Sequence, residues 1–356
     1  MQDLTICREL GERHGEGRPL NSLGTALQQV QRFDEAIAAH HQDLAICRDL
    51  GDRHGEALAL NNLGAALQQM RRFDEAIEAH QKAADRFTEL GDIHREGQAL
   101  NNLGAALQQM RRFDEAVEAH QKAADRFTEL GDNHREGQAL NNLGAALQQM
   151  RRFDEAIEAH QQAADLFGEL GDHDGEGQAH NNIGAALQQM RRFDEAIEAH
   201  HQAADRFGEL GDNHREGQAL NNLGAALQQM RRFDEAIEAH QKAADRFTKF
   251  GDIHGEGQAL NNLGAALQQM RRFDEAIEAH QKAAVRFSKL GDGRSRVLKG
   301  RESRGIWRVL TGRGRKDRPR PPAADAPKPA ELAPTPYVPA LRPAVEVPSA
   351  CGNVTD

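Results

Sequence analysis

A block of 40 residues recurs seven times between Gly11 and Leu290, and this period restricts the fold more than any single residue does. The unit at 91–130 and the unit at 131–170 differ at only five positions. A period of this length indicates one supersecondary unit stacked on copies of itself. The predicted units are 11–50, 51–90, 91–130, 131–170, 171–210, 211–250 and 251–290. The array must therefore present nearly the same surface in every unit.

Each unit has the apolar spacing of two amphipathic helices, shown here on residues 51–90. Apolar residues at steps of three and four predict helix A over about 53–70 and helix B over about 74–90, with Asp74 as the N-cap of helix B. The apolar residues of helix A are Leu60, Leu63, Leu67 and Met70. Those of helix B are Phe73, Ala76, Ile77, Ala83, Ala84, Phe87 and Leu90.

Glycines mark both the junction between units and the packing inside one. Gly51 and Asp52 predict a left-handed helix stop followed by an N-cap for the next helix. Gly64 lies within helix A, where glycine costs about 1 kcal/mol relative to alanine. We therefore expect a packing reason for Gly64, and close approach of helix B is the simplest one.

The unit resembles the tetratricopeptide repeat in its 40-residue variety, as in kinesin light chains and Pins-type adaptors. Leu63-Gly64, Leu67, Ala76 and Ala83 carry this resemblance, which covers residues 11–290. The sequence departs from the family pattern where Leu60 and Leu67 replace aromatic residues and Thr88 replaces proline. The resemblance implies an all-α fold, namely a right-handed superhelical solenoid of stacked antiparallel helix pairs whose A helices line a concave groove.

Opposite its apolar stripe, helix A carries a row of amide side chains that is almost free of charge. Carboxamides have both donors and acceptors, so a column of them can pair with the main chain of an extended peptide. The resemblance implies that asparagine at the position of Asn62 clamps such a peptide. The predicted peptide-binding residues are Asn61, Asn62, Gln68, Asn101, Asn102, Gln108, Asn141, Asn142, Gln148, Asn181, Asn182, Asn221, Asn222, Asn261 and Asn262.

Two other interpretations of the amide row and of the array remain open. In the first interpretation, the amide side chains are solvated or hydrogen-bonded within helix A. In the second, the array is a structural spacer or regulatory arm of a larger signalling protein, and the tail makes the functional contact. Uniform repeats favour a ligand that is extended and repetitive, because selectivity for one side-chain order needs different pockets.

Charge separates the array from the tail and restricts the partners. Residues 291–356 carry a net charge of +6, whereas residues 1–290 carry −16. An acidic array does not favour a phosphate backbone as a partner of the repeats. We therefore predict a protein or peptide partner. Membrane or nucleic-acid contact is left as an alternative for the basic tail alone.

No group of residues predicts catalysis, a metal site or a cofactor. One histidine per repeat, as at His80, recurs with the period, but equivalent residues lie too far apart to share a zinc ion. We expect these histidines to bond across the packing of helices A and B. His180 replaces the core leucine in one unit only, which predicts a weaker unit or, as a second reading, a pH-sensitive joint. We predict a protein that is not an enzyme.

The two ends of the chain differ from the repeats. Residues 1–10 resemble the end of a helix B, which suggests that the chain is a fragment of a longer protein, and Pro19 predicts an irregular first helix. Residues 291–318 form a basic segment that is a candidate capping helix. Residues 319–356 are proline-rich, which predicts a disordered tail. Three cysteines and no export signal predict a cytoplasmic protein, with Cys7 and Cys47 as apolar fillers.

Overall fold

The computed structural model describes residues 13–294, which form fourteen α-helices and no strand. The A helices are α1 Arg13–Gln29, α3 Arg53–Gln69, α5 Ile93–Gln109, α7 Asn133–Gln149, α9 His173–Gln189, α11 Asn213–Gln229 and α13 Ile253–Gln269. The B helices are α2 Phe33–Leu50, α4 Phe73–Leu90, α6 Phe113–Leu130, α8 Phe153–Leu170, α10 Phe193–Glu209, α12 Phe233–Phe250 and α14 Phe273–Arg294.

Every helix packs against the helix before it and the helix after it along the chain. The turns between helices are short, so consecutive helices run antiparallel and the pairs stack into a solenoid. The predicted all-α solenoid of helix pairs is confirmed. The remnant predicted over 1–10, the segment of 291–318 beyond Arg294 and the tail 319–356 lie outside the described residues.

The turn between units forms as its glycine and aspartate predict. Gly51 adopts the left-handed conformation with φ of 68°, and the Asp52 carboxylate accepts a hydrogen bond from the Gly55 backbone N–H at 2.9 Å. The last B helix differs, because α14 continues through Gly291 to Arg294. The glycine stop is formed at the six junctions from Gly51 to Gly251.

The turn within a unit corrects the predicted start of helix B. Helix α4 begins at Phe73, so Asp74 lies in its first turn and is not the N-cap. Arg71 has a left-handed φ of 59°, so the chain turns there and the helix begins at Phe73, one residue before the predicted start. The Arg72 guanidinium then donates to Glu75 at 2.6 and 2.7 Å, while Asp74 keeps a favourable negative charge near the helix start.

The core contains most residues of the predicted apolar stripes but excludes those at the ends of the helices. Leu60, Leu63 and Phe87 are buried, and alanines fill the narrow spaces between the helices. Met70 and Leu90 are 38% and 40% exposed, so the prediction that they belong to the core was wrong. Both lie at the end of a helix, where the chain turns away and leaves the side chain only partly covered.

The first unit is more regular than its proline suggests. Helix α1 runs from Arg13 to Gln29 with Pro19 inside it, so the predicted irregularity does not interrupt the helix. Cys47 is buried, as predicted, with its sulfur 3.6 Å from an Asp43 carboxylate oxygen. Burial, together with nearby carboxylates, raises the pKa of the Cys47 thiol to about 12, which keeps it protonated and unreactive. Cys7 lies outside the described residues.

Candidate functional site

The A helices form the inner face of the stack. Each A helix contacts the A helix of the next pair, whereas no two B helices between residues 13 and 294 contact each other. A stack whose A helices lie closer together than its B helices curves toward the A side. The asparagines predicted to line a groove lie along the contacts between these A helices.

Consecutive A helices are joined by a hydrogen bond between two asparagine side chains. Between α3 and α5, Asn102 Nδ2 donates to Asn61 Oδ1 at 3.2 Å. The other donor–acceptor pairs, at 2.7 to 3.2 Å, are Asn62–Asn21, Asn142–Asn101, Asn182–Asn141, Asn222–Asn181 and Asn262–Asn221. We call this row of bonded asparagines the asparagine ladder. It continues through all seven A helices.

A buried histidine of the B helix supports the ladder acceptor in the second to sixth repeats. His80 Nδ1 lies 2.9 Å from Asn61 Oδ1, and the ring is fully buried. Because Asn61 Oδ1 is an acceptor, the network assigns the proton of the neutral ring to Nδ1. Burial lowers the pKa of His80 to about 3, so the ring is neutral at physiological pH. The predicted histidine between helices A and B is confirmed.

The same ring explains the glycine within helix A. A Cβ atom on Gly64 would lie 2.7 Å from the His80 ring, which is shorter than any tolerated contact. A Cβ atom added to each of the equivalent glycines would lie 2.4 to 2.7 Å from the histidine ring of its own repeat. Close approach of helix B was the expected reason for Gly64, and the structure shows that the approaching group is an imidazole.

Glutamines make a second link between A helices. Gln68 Nε2 donates to the backbone carbonyl of Asn102 at 3.0 Å, and Gln108 and Gln148 make the same bond one and two units later. The Nε2 atoms of these predicted groove residues are therefore engaged in holding the repeats together. The sequence places them next to the asparagines but does not show that they bond across units.

The asparagine ladder leaves one donor and one acceptor unengaged at each junction. Asn61 Oδ1 contacts both Asn102 and His80, but Asn61 Nδ2 has no hydrogen-bond partner among the described residues. Asn102 Oδ1 is likewise unpartnered within this range, and neither atom is enclosed by the protein. Beside them lie the half-buried Ala105 and the exposed Gln109. The inner face thus offers paired amide groups in an uncharged surrounding.

Sequence comparison identifies the unit that this geometry builds. The tetratricopeptide repeat profile matches residues 5–89, 95–169, 175–249 and 257–288, which is well over half of the chain. The chain belongs to the tetratricopeptide repeat family. No curated protein sequence matches the chain.

Solved structures share the fold of this tetratricopeptide array at low sequence identity. A signal transduction ATPase with numerous domains from Pyrococcus horikoshii, which has a tetratricopeptide repeat sensor, matches with a TM-score of 0.67 and 16% identity over 82% of this chain and 46% of that chain. Aspartyl phosphate phosphatase F from Bacillus subtilis matches at 0.57 and 15% identity, over 80% and 73%. BtubC from P. vanneervenii matches at 0.55 and 20%, over 65% and 96%.

A second row of histidines in the tetratricopeptide array joins the N-terminal ends of the A helices. His54 Nε2 lies 3.2 Å from the Asp92 carboxylate, which also caps α5, and the ring stands edge-on to Phe87. His94, His134 and His214 repeat this arrangement. This row was not predicted from the sequence, although a histidine followed 38 residues later by a capping aspartate was the available signal.

The fifth repeat changes this junction. Asp174 replaces the histidine, and Arg215 of the next repeat forms ion pairs with both Asp174 and Asp212. The Arg215 guanidinium lies 4.9 Å from the centre of the Phe207 ring. An arginine supplied by the following repeat thus takes over the contacts that histidine makes elsewhere.

The core of the array is also interrupted in the fifth repeat. One contiguous cluster of buried apolar residues extends from Leu27 to Ala179, and smaller clusters follow it. His180 occupies the next position, where other repeats have a leucine, and its Nε2 lies 3.7 Å from a Glu176 carboxylate oxygen. A pocket of about 390 Å³ that is partly open to solvent lies beside it, lined mainly by polar residues that include Arg206 and Glu209. The predicted weakness of this unit stays a prediction, and the gap in the core supports it.

The polar residues at the start of α5 and within α4 make helix-cap and ion-pair contacts. His94, Arg95 and Glu96 form the first turn of α5, capped by Asp92. Lys82 Nζ lies 2.5 Å from the Glu78 carboxylate as an ordinary helix pair. Among the described side chains, no three of His, Cys, Asp or Glu are placed to hold one metal ion. No helix in the described range has the length and apolar character to cross a membrane.

Proposed function

We propose that this protein is a non-enzymatic protein-interaction scaffold that binds an extended peptide or partner segment along the inner face of the A helices. The observation that carries this proposal is the unengaged amide donor and acceptor at each junction of the asparagine ladder, such as Asn61 Nδ2 and Asn102 Oδ1. Each peptide unit of a main chain also has one donor and one acceptor. The two patterns are complementary.

The surroundings of the ladder favour main-chain recognition over side-chain recognition. No charged residue occurs from Gln98 to Met110, so nothing on this stretch of the inner face selects a charged side chain. With adjacent helices about 8–10 Å apart and an extended chain rising about 3.3 Å per residue, each repeat would contact roughly three residues of a ligand. Specificity then depends on ligand conformation more than on side-chain order.

Charge and relatives support a protein partner. The net charge of −16 on residues 1–290 does not favour nucleic acid on the repeats. The solved signal transduction ATPase, which has a tetratricopeptide repeat sensor, shares the fold over 82% of this chain. A cytoplasmic location stays a prediction from the sequence.

Substitutions that keep the acceptors of the asparagine ladder and replace its free donors with carboxylate oxygens test the proposal. Asn101→Asp combined with Asn141→Asp retains the Oδ1 acceptors of the ladder but replaces both free Nδ2 donors. Peptides selected from a displayed library of unstructured sequences should lose binding to this variant by about tenfold or more. Gln121→Glu with Gln161→Glu adds the same charge to exposed B-helix positions and should leave binding unchanged.

The competing function, a spacer whose tail makes the functional contact, predicts a different outcome. A chain ending at Arg294 would then capture none of the selected peptides, and the paired Asn→Asp variant would bind as the unmodified chain does. Retention of binding by the shortened chain, together with its loss in the Asn→Asp variant, supports the inner face.

A further inference from the structure

The asparagine ladder sets the spacing of equivalent groups along the inner face. Adjacent A helices contact each other and share the Asn102–Asn61 hydrogen bond of 3.2 Å, which places their axes about 8–10 Å apart. The free donor of Asn61 and the free acceptor of Asn102 therefore recur at about this interval. They recur in the same order at all six junctions, because the donor asparagine always belongs to the later repeat.

Two extended conformations fit this interval by length. Three residues of a β-strand span about 10 Å at about 3.3 Å per residue. Three residues of a polyproline II helix span about 9.3 Å at 3.1 Å per residue. Length alone does not distinguish these ligands.

The face that a ligand presents does distinguish them. Successive residues of a β-strand point to opposite sides, so residues three apart face opposite ways and would meet the ladder only at every second repeat. A polyproline II helix has three residues per turn, so residues three apart face the same way. Of the two conformations, only polyproline II presents its N–H and C=O groups in the same orientation to every Asn–Asn junction of a uniform array.

From this match, and resting on the proposed function, we propose that the inner face binds a segment in the polyproline II conformation, one turn per repeat, with a non-proline residue at every third position. The non-proline residue is needed because proline has no N–H to give to Asn102 Oδ1. The main chain of this helix makes no internal hydrogen bonds, so its carbonyls are free to accept from Asn61 Nδ2. The constant donor–acceptor order of the ladder admits one chain direction.

Synthetic peptides with the full chain provide the test. The probe is six Ala-Pro-Pro triplets, one for each of the six junctions. Two controls of equal length are an all-proline peptide, which has the conformation without internal N–H groups, and alternating Ala-Pro, which has N–H groups at the wrong period. In calorimetric titration we expect the triplet peptide to bind at least about tenfold more tightly than either control. Equal affinity for the three peptides overturns the proposal.

Proline-free unstructured peptides separate this inference from the proposed function. If the full chain binds those peptides through Asn101 and Asn141, yet binds the triplet peptide no better, the polyproline II inference is wrong. Peptide binding along the inner face is still supported in that case. If none of the peptides binds, both proposals fail. The Asn101→Asp, Asn141→Asp variant should weaken the triplet peptide by about tenfold, and its helix content and melting are measured first so that a folding defect is recognised.

Discussion

The third repeat, residues 91–130, and the fifth repeat, residues 171–210, share the asparagine ladder but differ in the core behind it. Asn101 and Asn181 each accept from the next repeat, at 3.1 and 3.2 Å. Leu100 is buried in the third repeat, whereas His180 stands at the same position of the fifth. The ladder therefore does not depend on a closed apolar core behind it.

This difference indicates that two separable systems hold the array together. Polar contacts between A helices run along the inner face without interruption, while the contiguous apolar cluster ends at Ala179. In a linear array, stability is a sum of repeat terms and interface terms between neighbours. We therefore expect the interfaces of the fifth repeat to open before those of the third while the inner face keeps its pattern.

Placing the histidine of the fifth repeat at the equivalent position of the third repeat should have the largest effect on stability. Leu100 is 7% exposed, so Leu100→His removes apolar contacts and buries a polar ring, at a cost of about 2–5 kcal/mol in local unfolding free energy. Native-state hydrogen exchange of the α5 amides measures this cost. Leu100→Met, which nearly conserves volume, should cost less than about 1.5 kcal/mol. A loss below about 1 kcal/mol for the histidine variant would contradict the packing described here.

Acid should weaken both repeats, because each has a fully buried histidine that is neutral in the folded state. Burial lowers the pKa of His120 and of His200 to about 3, whereas an unfolded histidine titrates near 6.5. Above pH 6.5 neither state binds the proton and the full stability is present. As the pH falls from 6.5 toward 3, the unfolded chain binds more protons, so unfolding free energy drops by about 1.4 kcal/mol per pH unit for each histidine.

Denaturant midpoints measured between pH 7 and pH 5 would reveal this slope. His120→Gln removes the fully buried histidine of the third repeat and should reduce the slope there, with the fifth repeat as the internal control. A slope that His120→Gln leaves unchanged would show that the decrease comes from other groups.

Replacing His180 with an apolar residue should have a smaller effect, and this effect should be an increase in stability. His180→Leu restores the apolar residue of the other repeats, with an expected gain of about 1–2 kcal/mol from renewed burial. Hydrogen exchange in α9 and α10 should slow, and the two ends of the array should unfold more cooperatively. His201→Leu, at an exposed position of the same repeat, should change stability by less than about 0.5 kcal/mol.

The smallest effect is expected at Gly208, which replaces the threonine of the third repeat. A Cβ atom added there would meet Glu216 at 3.6 Å, an ordinary contact, so Gly208→Ala should stabilise α10 by about 0.5–1 kcal/mol. Thermal melting would detect the shift. Gly211→Ala makes a matched control with the opposite sign, because Gly211 has a φ of 69° that alanine adopts only with strain.

The sequence predicted the period, the helix pairs and the buried histidine because each depends on local patterning or on residues that recur in register. Its errors lie where the chain turns. Asp74 has the chemistry of an N-cap, but the left-handed Arg71 starts the helix before it. Met70 and Leu90 fit the apolar spacing, yet 38% and 40% of their surfaces stay exposed.

For the candidate site, the sequence alone determined which groups recur: amides on one face of each A helix, no charge among them, and one repeat that departs from the rest. Only the tertiary structure decided which atoms of those amides remain free. Asn61 and Asn102 lie 41 residues apart and bond only because stacking brings neighbouring A helices into contact. Hydrogen bonds have direction, so the stacking consumes one donor and one acceptor at each junction and leaves the other pair on the inner face.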